Sequence, residues 1–145
     1  MATIFEFAVN NTQTISGYFR TTGAGNAITV DWGDGSATED FAGTTNQNYS
    51  KDYGSAGNRT VTIIAADESV MTHFRMGQAG ADISFALSDL PSGVTYVACT
   101  GSNTVSGSLS DLPSGLTYFY CAGSNTVSGS LSDLPSDLTY FYCAG

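Results

Sequence analysis

The chain has 145 residues, of which only 12% are charged, about half the share found in a typical soluble domain, and it is rich in Gly, Ser and Thr. This composition favours strands and turns over helices and allows a folded core, so we expect a mainly β protein. The net charge of −9 disfavours nucleic acid and anionic membrane surfaces as partners, because like charges repel.

The sequence carries no targeting signal that we can identify. No apolar stretch reaches the length of a membrane span, and the first residues lack the basic start and apolar run of a signal peptide. We therefore expect no membrane insertion and no export by the general secretory route. A virion protein released by lysis and a piece of a longer extracellular or cell-surface protein both fit, and we expect one of these two locations.

Residues 1–69 alternate apolar and polar side chains in short runs. The residues that share an inward face are Phe5, Phe7 and Val9, then Ile15, Gly17 and Phe19, then Ile28, Val30 and Trp32, and finally Val61, Ile63 and Ala65. Alternation of this kind predicts short strands packed as a β-sandwich. Turn signals at 10–11, 23–26, 33–35 and 54–57 predict loops between them.

One turn in this region belongs to a longer pattern. The segment 30–36, Val-Asp-Trp-Gly-Asp-Gly-Ser, is followed by Tyr53 and by Gly-Asn-Arg-Thr-Val-Thr-Ile at 57–63. This arrangement resembles the PKD family of immunoglobulin-like domains, although Arg59 stands where that family usually carries an aromatic residue. The resemblance implies a PKD-like β-sandwich in residues 1–69 that acts as a spacer or presentation module.

Four carboxylates surround this turn: Asp31, Asp34, Glu39 and Asp40. They could form a calcium loop, but their spacing is not that of an EF-hand. Asp side chains in Gly-rich turns commonly accept hydrogen bonds from nearby backbone amides. The sequence therefore favours turn chemistry, and we predict no metal here.

The second half of the chain is a repeat. Residues 116–137, LTYFYCAGSNTVSGSLSDLPSD, closely match residues 94–115, VTYVACTGSNTVSGSLSDLPSG, and the same unit begins again at 138–145. A weaker copy covers 71–93 if one residue is inserted. A fixed period of 22 residues predicts a stack of coils in which each coil buries its apolar face against its neighbours. We expect this array to fill residues 70–145.

The spacing of apolar residues within a unit also resembles a known family. The shared positions in one unit are Leu116, Phe119, Cys121, Asn125 and Val127, followed by Leu131, Leu134 and Pro135. They resemble a leucine-rich repeat, with one extra residue before the Asn and with Phe and Cys where Leu is usual. The resemblance implies a short parallel β solenoid that the first region caps, and a β-solenoid of another type is the alternative.

Each unit is predicted to form one short strand, Leu116–Cys121 in the third unit, paired in parallel with its neighbours. Leu116, Phe119 and Cys121 are predicted to point inward, and Asn103 and Asn125 to bond backbone groups of the adjacent coil. The Ser-Asp-Leu-Pro segment that follows predicts a turn or an extended return limb, since Pro lacks an N–H and disfavours an α-helix.

The cysteines follow the repeat. Cys99, Cys121 and Cys143 lie 22 residues apart, so we expect them to form one buried column. Such a column could bind a metal or respond to redox change, or it could simply fill a narrow interior. No Cys-x-x-Cys pair or histidine cluster accompanies it, and the sequence favours packing without a metal.

The residues between the inward ones are predicted to face outward and to form the candidate binding site. A Thr column lies beside a second column of His73, Tyr96, Tyr118 and Tyr140 and a third of Arg75, Ala98, Tyr120 and Tyr142. Tyrosine offers rigid aromatic area with a polar tip, which suits a glycan or a protein partner. The alternative is that stacked tyrosines only stabilise the sheet.

Catalysis has little support in the sequence. His73 is the single histidine and has no Ser or Cys nucleophile near it in sequence. Asp89, Asp111 and Asp133 recur within Ser-Asp-Leu-Pro, where turn chemistry explains them. We therefore predict that the protein is not an enzyme and needs no cofactor.

The last unit, 138–145, has no following coil in this sequence. Its strand edge is then free to pair with another chain, so we expect either self-association through this edge or a longer array of which this is a piece. Our overall expectation is a recognition or adhesion module that displays tyrosines to a glycan or a protein. The alternative is a purely architectural repeat that assembles or spaces subunits.

Overall fold

A computed structural model describes residues 1–77 and 81–144, and it is mainly β. The strands are β1 (Ala2–Thr21), β2 (Ile28–Asp31), β3 (Glu39–Phe41), β4 (Gln47–Ala65), β5 (Met71–Met76), β6 (Ile83–Ala86), β7 (Tyr96–Ser108), β8 (Tyr118–Gly123), β9 (Thr126–Ser128) and β10 (Tyr140–Ala144). Three short 3₁₀ helices complete the list: Leu87–Asp89, Leu109–Asp111 and Leu131–Asp133. Among the described residues no helix has the length and apolar character to cross a bilayer. The last residue of the predicted unit 138–145, and residues 78–80 of unit 71–93, lie outside this description.

The strands form one sheet with an antiparallel part and a parallel part. Its order is β10-β8-β7-β5-β1-β4-β2-β3, antiparallel from β5 to β3 and parallel from β5 to β10. β6 pairs with both β1 and β7, so that β1, β5, β7 and β6 close into a small barrel. The predicted repeat array is therefore joined to the first region through β1.

Two of the four predicted loops are wrong. Residues 10–11 lie inside β1 and residues 54–57 lie inside β4, and the loops at 23–26 and 33–35 are present as predicted. The two long strands stay paired through register shifts between Val9 and Thr14. A left-handed backbone at Asn11, with φ of 44°, takes up the extra residues as a bulge, which bends a strand without reversing the chain.

Arg59 holds this bulge together. Its guanidinium donates to the carbonyls of Ser55, Gly57 and Thr12 at 3.2, 3.1 and 3.4 Å. It also lies over the ring of Tyr53, 4.2 Å from the centroid. The residue that departs from the PKD pattern thus bonds three carbonyls in the irregular part of the ladder, whereas an aromatic side chain has at most one donor.

The core is continuous across both regions. With the exception of Gly17, which is half-buried, the inward residues that alternation predicted in the first region are all buried. Phe74 of β5 packs edge-on against Phe5 of β1, with ring centroids 5.1 Å apart, and against Phe85 of β6 at 6.1 Å. Side chains from residues before and after position 70 therefore share one apolar interior, and the boundary at 69/70 stays a prediction.

The repeat units stack in register. Cys99, Cys121 and Cys143 stand opposite one another on β7, β8 and β10, and Leu116, Phe119 and Cys121 are fully buried, as their spacing predicted. The strand of the third unit begins two residues later than predicted, at Tyr118, because the backbone around Leu116 still turns out of the return limb.

Asn side chains link neighbouring coils, and Asp side chains cap the turn within each coil. The amide of Asn103 donates to the carbonyl of Ala122 at 3.1 Å, and that of Asn125 donates to Cys121 at 3.0 Å and to Ala144 at 2.6 Å. In each return limb an Asp caps the 3₁₀ turn: Asp89, Asp111 and Asp133 accept from the backbone N–H of Ala86, Ser108 and Ser130 at 3.2, 3.1 and 2.9 Å. The predictions that the Asn side chains bond backbone groups of the adjacent coil and that the Asp side chains belong to turns are confirmed.

Candidate functional site

The outer side of the stacked strands carries the predicted site residues in two straight columns. His73, Tyr96, Tyr118 and Tyr140 are paired in register, and so are Arg75, Ala98, Tyr120 and Tyr142. We call these two columns, together with Tyr18 and Arg20 of β1, the tyrosine face. The repeat places equivalent positions side by side on neighbouring strands, which is why the columns form.

The rings of the first column lie face to face. Ring centroids are 4.5 Å apart for Tyr96–Tyr118 and 4.6 Å for Tyr118–Tyr140, with planes tilted by 10° and 8°. His73 continues the stack at 5.2 Å from Tyr96. Because each ring covers the face of the next, the column presents ring edges and hydroxyl groups outward. In the second column Tyr120 and Tyr142 stack in the same way at 4.8 Å.

The Thr column next to the rings is used within the protein. The hydroxyls of Thr95, Thr117 and Thr139 donate to the backbone carbonyls of the preceding coil at 3.3, 2.9 and 2.9 Å. These hydroxyls add a side-chain bond to the backbone bond that the same carbonyls accept. The Thr residues therefore tie the coils together, and the tyrosine hydroxyls are polar groups that remain on this face beside His73 and the two arginines.

Tyr18 was missed by the sequence analysis. It stacks at 6.4 Å from Tyr96 and lies between two cations, with the guanidinium carbons of Arg20 and Arg75 each 5.6 Å from its ring centroid. The signal was available, because Tyr18 precedes the inward Phe19 on an alternating strand and must face outward. What the sequence could not indicate is that β1 pairs with β5 and so extends the array.

The charge of the tyrosine face comes from its arginines. Burial, and then the charge of Arg20, lower the pKa of His73 below 6.5, so it is neutral at pH 7. Burial, and then Tyr18, raise the pKa of Tyr96 to about 12, so it keeps its proton. Arg20 and Arg75 have no carboxylate within salt-bridge distance in the part of the chain that is described.

Exposure changes along the face. Tyr18 is 9% exposed, Tyr96, Tyr118 and Tyr120 are half-buried, and Tyr140 and Tyr142 are 43% and 42% exposed. The arginine end is therefore held firmly against β1, and the tyrosines become more accessible toward β10.

The carboxylates of the first region are engaged in hydrogen bonds. Asp31 accepts from the N–H of Gly33, Asp34 from the N–H of Ser36 and from Lys51, Glu39 from Trp32, and Asp40 from Thr29. Hydrogen bonding by Ser36 and then Lys51 lowers the pKa of Asp34. The bonds of Asp31 and Asp34 are the turn chemistry that the sequence favoured, whereas Glu39 and Asp40 belong to β3 and accept from side chains.

The cysteines are free thiols; Cys99 and Cys121 are buried as predicted, whereas Cys143, in the last coil, is half-buried. A hydrogen bond with Cys99, together with burial, raises the pKa of Cys121, and burial raises that of Cys143, so both stay protonated. Over residues 1–77 and 81–144 no group of three His, Cys, Asp or Glu is placed to hold a metal ion. The column packs the narrow core.

Two cavities lie away from the tyrosine face. One, of about 270 Å³, is lined by Leu109, Asn125, Val127, Phe141 and Cys143 at the β10 end of the interior. The other, of about 330 Å³, is lined by Thr3, Ile4, Phe5, Glu6, Glu68, Ser88 and Asp89. Neither is lined by a residue of the tyrosine face.

Comparison of the chain with family models, with curated proteins and with solved structures finds no match.

Proposed function

We propose that the protein is a non-catalytic recognition or adhesion module that presents the tyrosine face to a glycan or a protein partner. The observation that carries this proposal is the in-register stacking of Tyr96, Tyr118 and Tyr140, which lines up their hydroxyl-bearing edges on an outer face. Tyrosine and arginine are the residue types that most often anchor protein interfaces, and tyrosine loses little conformational entropy on binding.

The proposal includes the architecture that the sequence resemblances implied. In it residues 1–69 are a PKD-like sandwich and residues 70–145 are a leucine-rich-repeat-like solenoid that the first region caps. The Trp-Gly-Asp-Gly turn supports the first part, since the Tyr53 hydroxyl donates to the carbonyl of Trp32 at 3.3 Å across it. The parallel strands with a 22-residue offset support the second part.

The second candidate function is architectural. Stacked aromatic residues on neighbouring strands stabilise a sheet by roughly 0.2 to 1 kcal/mol per pair without any ligand. The Thr hydroxyls beside them have that role, since they bond the preceding coil. On this account the tyrosine columns are one more set of links between coils, and the array spaces or assembles subunits.

The proposal also includes self-association through β10. Among the described strands β10 has one neighbour, β8, and the adjoining Leu131 is 75% exposed. An unpaired edge beside apolar side chains favours pairing with the edge of a second copy. A virion or a cell surface, where many copies meet, is the location we propose. Molar mass measured by light scattering across a concentration series tests this, and a clean monomer at high concentration would contradict it.

A glycan array and a peptide array, probed in parallel, test the recognition function. The double variant Tyr118→Ala/Tyr120→Ala removes the rings, whereas Tyr118→Phe/Tyr120→Phe keeps the stack and removes only the hydroxyls. We expect binding to fall in both variants, with thermal stability retained in the Phe pair. Loss of stability in the Ala pair, with no ligand found for the wild type on either array, would favour the architectural function.

A further inference from the structure

The basic residues of this acidic protein differ in whether they have a partner within the chain. Of its 4 basic residues, Lys51 forms an ion pair with Asp34 at 2.9 Å, and Arg59 bonds backbone carbonyls in the bulge. Arg20 and Arg75 have no carboxylate partner in the described part of the chain, and both belong to the tyrosine face. A chain with a net charge of −9 therefore places both guanidinium groups that lack a carboxylate partner on the ring of Tyr18, at one end of an aromatic row.

The geometry at this end suits an acidic group. Both guanidinium groups lie over the ring of Tyr18, and Nε of Arg20 donates to Asn46 at 2.6 Å, which fixes the side chain and leaves its Nη groups for a ligand. A guanidinium binds a carboxylate or a sulfate through paired, charge-assisted hydrogen bonds. The neighbouring His73 is neutral and adds no charge of its own at pH 7.

The rest of the tyrosine face suits a linear, hydroxyl-rich chain. The faces of Tyr96 and Tyr118 are covered by their neighbours, so a ligand meets ring edges and phenol hydroxyls, which both donate and accept hydrogen bonds. These hydroxyls follow one another at the spacing of the strands. Interfaces with proteins are usually anchored by side chains buried in pockets, and the two cavities described above are lined by residues outside the tyrosine face.

From these observations we infer that the tyrosine face binds an acidic polysaccharide. Acidic groups of the polymer pair with Arg20 and with Arg75, one on each guanidinium, and sugar hydroxyls bond the phenols of Tyr118 and Tyr120 farther along the face. This inference rests on the recognition function proposed above and specifies its ligand. Because the remaining surface is acidic, the polymer is held at this face and repelled elsewhere.

Calorimetric titration with four defined polymers tests the inference: polygalacturonate, heparin, neutral dextran and poly-glutamate. We expect the wild type to bind polygalacturonate or heparin, with affinity that falls as salt is added, and to bind dextran and poly-glutamate at least about tenfold more weakly. The poly-glutamate arm separates a saccharide site from one that accepts any flexible polyanion.

Two single variants with the same change of charge provide the control. Arg75→Gln removes a guanidinium of the face, and Lys51→Gln removes a cation of the first region that is already paired with Asp34. We expect Arg75→Gln to weaken binding roughly tenfold, since a charge-assisted hydrogen bond is lost, and Lys51→Gln to change it by no more than about twofold. Thermal melting of both variants confirms that each is folded, and Arg75→Lys, which keeps the charge, should recover part of the affinity.

The outcomes separate this inference from the function on which it rests. Equal weakening by Arg75→Gln and Lys51→Gln, equal binding of poly-glutamate, or no binding of either acidic polysaccharide would overturn the polysaccharide assignment. If a neutral glycan or a peptide then binds and the Tyr118→Phe/Tyr120→Phe pair abolishes it, recognition by the tyrosine face stands with a different ligand. If no ligand of any class binds, both fail.

Discussion

The first region and the stacked units bury their side chains by different rules. In the antiparallel part, buried residues such as Trp32 and Phe5 have no equivalent elsewhere in the chain, and each is at most 1% exposed. In the stack the same residue recurs, and its burial depends on the coil in which it lies: Leu109 is 6% exposed, and its equivalent Leu131 is 75% exposed. In the stack, equivalent residues therefore differ in burial according to whether a further coil covers them, as Leu109 and Leu131 show.

This difference predicts a gradient of stability. A repeat array is stabilised mainly by contacts between adjacent units, so a unit with one neighbour opens at a lower cost than a unit between two. We expect amide exchange to be slowest in β1, β4 and β7 and fastest in β10. Substitutions in the first region should therefore cost more stability than equivalent substitutions in the last unit of the stack.

Trp32→Ala should be the most damaging of these changes. Trp32 is 1% exposed, packs near Phe41 and Tyr49, and donates from Nε1 to Glu39 at 3.0 Å. We expect a loss of about 3–5 kcal/mol in the free energy of unfolding, measured by urea denaturation, because the cavity cannot close. A loss below about 1 kcal/mol would mean that this side chain does not organise the first region.

Leu116→Ala and Leu138→Ala form a matched pair within the stack. The two residues occupy the same position of successive units, but Leu116 is fully buried and Leu138 is half-buried. We expect Leu116→Ala to cost about 2–5 kcal/mol and Leu138→Ala less than half of that. Equal losses in urea denaturation would show that β10 is as firmly packed as β8, for example against a second copy.

Asn125→Ala tests the polar link between coils. Its amide donates to Cys121 and Ala144, and its carbonyl oxygen accepts from the N–H of Val105 at 3.0 Å. Removing it leaves buried backbone groups without partners, so we expect a loss of about 1–3 kcal/mol. The control is Asn48→Ala on the exposed side of β4, which should change stability by no more than about 0.5 kcal/mol.

The smallest effect concerns His73 and pH. Its pKa is lowered on folding, so between pH 6.5 and the folded pKa the unfolded chain binds more protons than the native one. Stability from this residue is complete above pH 6.5 and declines as the pH falls through that window. We expect the wild-type melting temperature to fall from pH 7 to pH 5 more than that of His73→Tyr, which continues the aromatic column. Parallel curves for the two proteins would contradict this.

The stack was more predictable than the first region for a physical reason. In a repeat, equivalent positions of successive units pair with each other, so the register can be read from the sequence. Spacing alone therefore predicted the burial of Leu116, Phe119 and Cys121 and the outward columns of tyrosine. In the first region, the Asn10-Asn11 signal is compatible both with a chain reversal and with a bulge, and only the pairing of β1 with β4 decides between them. Tyr18 entered the site through a long-range contact that no local pattern records.

Because the units pair at equivalent positions, the stack can change length by whole units. Each coil carries a Thr bond to the coil before it, an Asn bond to the coil after it and its own Asp-capped return, so a 22-residue unit contains the side chains that link it to its neighbours. An in-frame duplication of residues 116–137 would therefore lengthen the row of phenols by one step while leaving the arginine end untouched. The array can therefore lengthen by whole units while the spacing between its tyrosines stays the same.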